Sequence, residues 1–153
     1  MKARFLVMVC ASLVLVADSS KEEAAKRERE KLQGVWILVA EEFDGKKTFP
    51  KEGVKVSMRV EIKGDKYALT VEEGKEMTSV GGAVKFDPSQ KPKAVDFQFE
   101  QFGRKTPVEG MYELDGDNLK LCFQIFEGEP RPKDFSTKKD SGQALMVWKR
   151  EKP

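Results

Sequence analysis

The sequence predicts an all-β domain: eight antiparallel strands closed into an up-and-down barrel, with a short helix in front. Three observations carry this. Apolar and polar residues alternate over most of the chain. Short stretches rich in Gly, Asp, Asn and Pro interrupt the alternation at hairpin spacing. Helical periodicity is confined to the residues before Gln33. Strands of this kind have one apolar and one polar face, and eight of them can bury the apolar faces by closing on themselves, which removes free edges. A two-sheet sandwich would satisfy the same alternation.

Residues 1–4 are a short basic start, and residues 5–16 are almost uninterruptedly apolar. A run of 12 residues is too short to span a bilayer comfortably. Ala17-Asp18-Ser19 then places small residues at the two positions that matter for cleavage. This predicts a signal peptide over residues 1–19 and a secreted or periplasmic, cell-envelope location, with no stable membrane span after cleavage. Cys10 follows Val7-Met8-Val9, a poor context for lipid attachment. Residues 20–32 read as a polar helix or tether. Ser20 and Glu23 have capping-box spacing, and Glu22/Lys26 and Glu23/Arg27 are i,i+4 pairs in the favourable order. The apolar face of this helix is thin, consisting of Ala24, Ala25 and Leu32.

Residues 33–151 form the barrel domain. The first strand, from Gly34, is apolar on both faces through Ala40, so both sides are expected to be covered. Residues 43–47 read as a turn or loop, and residues 50–53 break the chain again. Val54, Val56, Met58, Val60 and Ile62 alternate with Lys55, Ser57, Arg59, Glu61 and Lys63. Gly64-Asp65 turns the chain into Tyr67, Leu69 and Val71. The next strand, 77–86, contains Gly81 and Gly82, which suit a bend or close approach. Residues 87–93 form a loop fixed by two prolines. Val95, Phe97 and Phe99 share one face, residues 102–105 turn, and Val108, Gly110, Tyr112 and Leu114 form the next inner face. Asp115-Gly116-Asp117-Asn118 is a hairpin turn. Leu119, Leu121, Phe123 and Ile125 follow, then an irregular stretch over 127–142 and a closing strand over 143–149.

Composition removes several functions. The chain contains no histidine, so the commonest general base and most zinc sites are missing. Removing 19 residues, two basic and one acidic, from 153 leaves 134 residues with 26 basic and 25 acidic. That near-neutral balance is no footprint for nucleic acid. Cys122 is the sole cysteine of the mature chain, so no internal disulfide forms. It alternates with the apolar face and is expected to point outward as an inert thiol. The turn 115–118 fails calcium-loop spacing, because Leu119 stands at the fifth position. Glu72 and Glu73 lie on opposite strand faces and are no glycosidase pair. The sequence therefore predicts no catalytic residues, no metal site, no cofactor and no enzyme activity.

A pocket, where one exists, would be walled by Met58, Phe97, Phe99 and Phe123. Tyr112, the most notable inward polar group, would either orient a ligand's polar head or bond to backbone in the core. Gly82 and Gly110, if inward, would either leave space or let neighbouring rings pack.

Several stretches together resemble a known family. They are Leu32-Gln33-Gly34-Val35-Trp36, the run Phe86-Asp87-Pro88-Ser89-Gln90-Lys91-Pro92-Lys93-Ala94-Val95-Asp96, residues 110–122, Arg131-Pro132-Lys133-Asp134-Phe135 and the ending from Ser141-Gly142 to Glu151. The family is a group of small secreted lipocalin-like bacterial domains, of planctomycete type and largely uncharacterised. The resemblance covers about residues 31–151. It implies a lipocalin-like (calycin) barrel and carries no established activity. By the wider likeness to lipocalins, Gly34 and Trp36 would close one barrel end and Arg150, with Lys149 second, would lie across the indole as a structural device. A Thr-Asp-Tyr loop motif, the helix pair and Arg-x-Tyr of fatty-acid-binding proteins, and the aromatic set of avidins are all missing. No named ligand follows. Two roles are expected: a small apolar ligand in the barrel, or a cell-envelope protein partner or inhibitor target met by loops 87–93 and 127–142.

Overall fold

The computed structural model describes residues 12–101, 103–126 and 128–152, with side chains from residue 19 onward except that of residue 101. The first eleven residues of the expected signal peptide lie outside the described residues. Helix α1 spans Ser12–Leu32. It runs through Ser20 without interruption, so the helix does not begin at Ser20 as expected. Glu23 and Arg27 are paired at 3.5 Å along its exposed face.

Among the described residues nine strands follow: β1 (Gly34–Phe43), β2 (Lys46–Phe49), β3 (Val56–Lys63), β4 (Lys66–Glu73), β5 (Glu76–Asp87), β6 (Ala94–Gln101), β7 (Arg104–Asp115), β8 (Asn118–Gln124) and β9 (Gln143–Arg150). The sheet order is β2-β1-β3-β4-β5-β6-β7-β8-β9, and β1 also pairs with β9. That last pairing, antiparallel from Trp36↔Arg150 to Phe43↔Ala144, closes β1 and β3–β9 into an eight-stranded barrel and rules out the sandwich.

β2 is the ninth strand, and residues 43–47 are a hairpin rather than a plain loop. Asp44 and Gly45, both at positive φ, make its turn. Four residues are too few to display an alternation, so the sequence shows only the turn. β1 serves two neighbours in succession: Gly34–Ile37 pair with β3, and Glu41–Phe43 pair with β2. A bulge between Leu38 and Ala40 separates the two halves. Such an extra residue bends a strand and switches which side chains face in.

β7 starts at Arg104, earlier than the Val108 expected from its apolar face. It pairs with β6 from the hairpin onward, but its register with β8 begins only at Gly110↔Phe123. Pro107 therefore lies beyond the end of β8, on a free edge where a missing N–H costs no ladder bond.

The inward faces of all eight barrel strands supply the core, centred on Trp36, Ile62, Val95, Tyr112, Leu119 and Phe123. The outer face is also covered at one place. Ala94, Met111, Cys122 and Leu145 stand side by side across β6–β9, and the first three are buried. Residues 131–134 run over them. Pro132 is buried there, and Arg131 Nη1 donates to the carbonyls of Val95, at 3.1 Å, and Gly110. The same guanidinium pairs with Asp96 at 2.7 Å. Cys122 thus points away from the barrel axis yet is fully buried, and burial pushes its thiol up to about 11.

Candidate functional site

The two barrel ends differ. At one, the chain leaving α1 enters β1 and the end is sealed. Leu32 and Trp36 are both 0% exposed. Trp36 Nε1 donates to Leu32 O at 3.0 Å. The Arg150 guanidinium lies 4.1 Å from the centre of the Trp36 ring. It also donates to Gln33 O at 2.8 Å and to Lys31 O, and its Nε pairs with Asp117 at 3.3 Å. Gln33 bonds to Arg29 O at 3.1 Å and accepts from Gly64 N at 2.6 Å. The last carbonyls of a helix have no intrahelical partner; here side chains from the barrel supply the donors. Gly34 sits beneath this cap at φ +112°, and a Cβ there would lie 3.2 Å from Arg150 Nη1. Only glycine satisfies both the backbone and the space.

Tyr112 belongs to this end and does not face a ligand space. Its hydroxyl donates to Glu28 Oε1 at 3.1 Å, and Lys93 Nζ reaches the same oxygen at 2.6 Å. Its partner is thus a helix carboxylate, neither a ligand nor the backbone. Burial, with Glu28 second, raises the phenol well above its usual range.

The other half of the barrel is incompletely filled. A cavity of about 140 Å³ lies there, lined among others by Phe97, Phe99, Val108, Leu121, Phe123 and Met146. Tyr67 and Trp148 border it on the side of the sealed end, and Ile125, 48% exposed, borders it on the open side. The rings form an edge-to-face cluster, with Tyr67–Phe97 centroids 4.9 Å apart and Phe97–Phe123 5.3 Å. Of the residues expected in a pocket, Phe97, Phe99 and Phe123 line this cavity. Met58 packs half-buried against the core without lining it. The inner-face alternation also marks Val60, Ile62, Leu69 and Ala144 as inward, but which half of the barrel each occupies depends on register.

The exposed wall is entirely apolar. Two lining residues carry polar atoms, Tyr67 Oη and Trp148 Nε1, that are buried and without hydrogen-bond partners. Burial pushes the Tyr67 phenol up to about 12. The glycines add no room. A Cβ on Gly110 would be 2.5 Å from Phe123 Cδ1, and one on Gly82 would be 1.8 Å from Gln98 O. They exist for close packing.

Several surface depressions lie outside the barrel. One, about 970 Å³, lies between α1 and the barrel base and is lined by charges of both signs, including the paired Glu28, Lys93, Asp117 and Arg150. Another, about 430 Å³, is formed where loop 87–93 meets residues 131–133, and contains Lys85, Asp87, Lys91, Asp96, Arg131 and Lys133. Both of its carboxylates are engaged. Asp87 accepts from Ser89 N and Oγ, which holds its carboxyl below the usual range, and Asp96 pairs with Arg131. The turn at 115–118 is a two-residue hairpin, Asp115↔Asn118, with Asp117 facing Arg150 and Lys152. Among the described residues no group of three or more His, Cys, Asp or Glu could hold a metal ion. No helix among them is long and apolar enough to cross a membrane.

Comparison with protein-family models and with curated proteins found no match. Among solved structures, the chain is similar to a point mutant of the fluorescent protein UnaG, with 12% identity and a TM-score of 0.38 over 81% of this chain and 99% of that one.

Proposed function

We propose that this is a secreted or periplasmic barrel protein that binds a small apolar molecule reversibly in its open half and catalyses no reaction. The observation that supports this reading is the cavity lined by Phe97, Phe99 and Phe123, whose exposed wall is apolar. Apolar pockets of this kind draw ligands by removing apolar surface from water. The test is methyl-resolved NMR of the purified protein titrated with apolar compounds. Saturable shifts at Val108, Leu121 and Met146 are expected; shifts confined to the outer surface would sink the reading. Localisation is checked by fractionating the native host and sequencing the mature N-terminus, which should begin at Ser20.

A second reading, a cell-envelope protein partner, draws on the flank groove. The loop 87–93 and residues 131–133, far apart in sequence, meet there. Lys85, Lys91 and Lys133 point to a partner with an acidic segment. Replacing these three by Glu should abolish binding of a labelled glutamate-rich peptide, while replacing Lys51, Lys55 and Lys75 should leave it intact. Equal loss in both would show only a general charge effect.

A further inference from the structure

The shape of the cavity restricts what it can hold. We propose that its ligand is a compact, uncharged molecule, ring-sized and on the order of six to eight non-hydrogen atoms, and that the barrel excludes the extended acyl chains a deeper barrel would take. The proposal rests on the binding reading above and narrows it.

Four observations carry it. The free volume is about 140 Å³, well under the roughly 300 Å³ at which drug-sized pockets begin. Dry apolar cavities of about 150 Å³ take a benzene-sized guest. Next, there is no channel beyond the cavity. Ile62, Tyr67 and Trp148 line it, and Trp36 and Leu119, which do not line it, are fully buried beneath Leu32 and the Arg150 cap. A chain entering from the open side would have to displace this packing, and interiors at crystal-like density yield only at considerable cost. Third, Gly82 and Gly110 offer no reserve volume, because Gln98 O and the Phe123 ring already occupy the positions where their Cβ atoms would stand. Last, the exposed wall is apolar and the lining residues carry no charge, so a charged group inside would lose its hydration without a counter-charge to replace it.

The experiment compares toluene, indole and sodium dodecanoate by the same methyl NMR on the full protein, with Ala144→Leu as the filled variant. Ala144 lines the cavity and is 4% exposed. Toluene is expected to saturate one site. Indole should bind about as well or more weakly, and dodecanoate at least ~10-fold more weakly, since groups without room are rejected by about that factor or more. Ala144→Leu should abolish toluene binding while melting at or above the parent temperature. If that variant fails to fold, Val108→Phe narrows the same space from the open side. Dodecanoate binding as tightly as toluene, and competing with it, would overturn the compact-ligand inference and leave the binding reading standing. No interior shift with any of the three would overturn the binding reading itself, and the inference with it.

Discussion

The sealed and open ends of this barrel are made from the same alternation, yet only one of them is finished. At the sealed end, Leu32, Trp36, Leu119 and Tyr112 are buried to within 1% exposure, and every polar group named there has a partner: the indole N–H, the Tyr112 hydroxyl, the Glu28 carboxylate and the Arg150 guanidinium. At the open end Leu69, Phe99, Val108 and Met146 are only half-buried, and Ile125 and Phe126 stand 48% and 50% exposed. The difference is one of covering elements. α1 lies across one end and brings a plug, a carboxylate and acceptors. Residues 131–134 cover the flank over Met111 and Cys122 instead of the open mouth. A barrel of this size keeps space for a guest only where no element is spent on closing it.

The sharpest way to break the contrast is Trp36→Ala. It should cost about 3–5 kcal/mol, the range for deleting a fully buried large ring, read by urea denaturation. Loss under about 1 kcal/mol would mean the sealed end is not the anchor. Arg150→Ala removes the helix cap and the ring contact together. A loss of about 2 kcal/mol is expected, because hydrogen bonds from a charged donor are among the stronger ones, along with reduced helical circular dichroism. Arg150→Lys should recover little, since an ammonium cannot span two carbonyls and a ring face as a planar fork does.

Alkaline pH discriminates by burial. The Cys122 thiol and the phenols of Tyr67 and Tyr112 all have folded values raised above their unfolded ones. The folded state therefore holds more protons, and stability falls as pH rises through the interval between the two values. For Cys122 that interval runs from about pH 9 to about 11, and for Tyr67 from about 10 to about 12. Denaturation midpoints measured upward from about pH 8 should decline across these intervals. A Cys122→Ala variant should show a smaller decline over the lower part of that range.

Tyr67→Phe sharpens the comparison from the cavity side. Its hydroxyl is buried without a partner, and removing an unsatisfied group should be neutral or stabilising by up to about 1 kcal/mol. A loss above about 1 kcal/mol would show that the hydroxyl is bonded in solution. The smallest effect is expected at the mouth. Ile125→Ser should change stability by less than about 1 kcal/mol, as half-exposed positions usually do.

Much of the barrel was legible because its cause is local. Val56 to Lys63 alternates residue by residue, and its burial follows that alternation. Asp115 to Asn118 has the turn chemistry that the hairpin needs. Where the cause is distant, local reading stops. Nothing near Tyr112 points to Glu28, which reaches it across 84 positions. Alternation puts Cys122 on the outer face, where the structure has it, but its burial depends on residues 131–134 folding back, held by Arg131. The cavity was legible as an inner face and not as a volume. Phe97 and Phe123 can be named from alternation, whereas Met58 and Tyr112 share that face and do not line the space, Tyr112 being turned to Glu28 instead.

The Arg150 cap also sets an order of events. The side chain that satisfies Lys31 O and Gln33 O stands 119 and 117 positions downstream, on the strand that closes the sheet against β1. Local hairpins from β3 to β8 can form as soon as their residues exist, but ring closure and the capping of Lys31 O and Gln33 O both wait for the 8 residues of β9. Contacts of such long sequence separation form late and slowly. A product ending before Gln143 therefore has an open sheet and lacks the Arg150 cap, its helix held only by contacts such as those of Glu28 with Lys93 and Tyr112. The last strand thus completes the seal over the front of the protein.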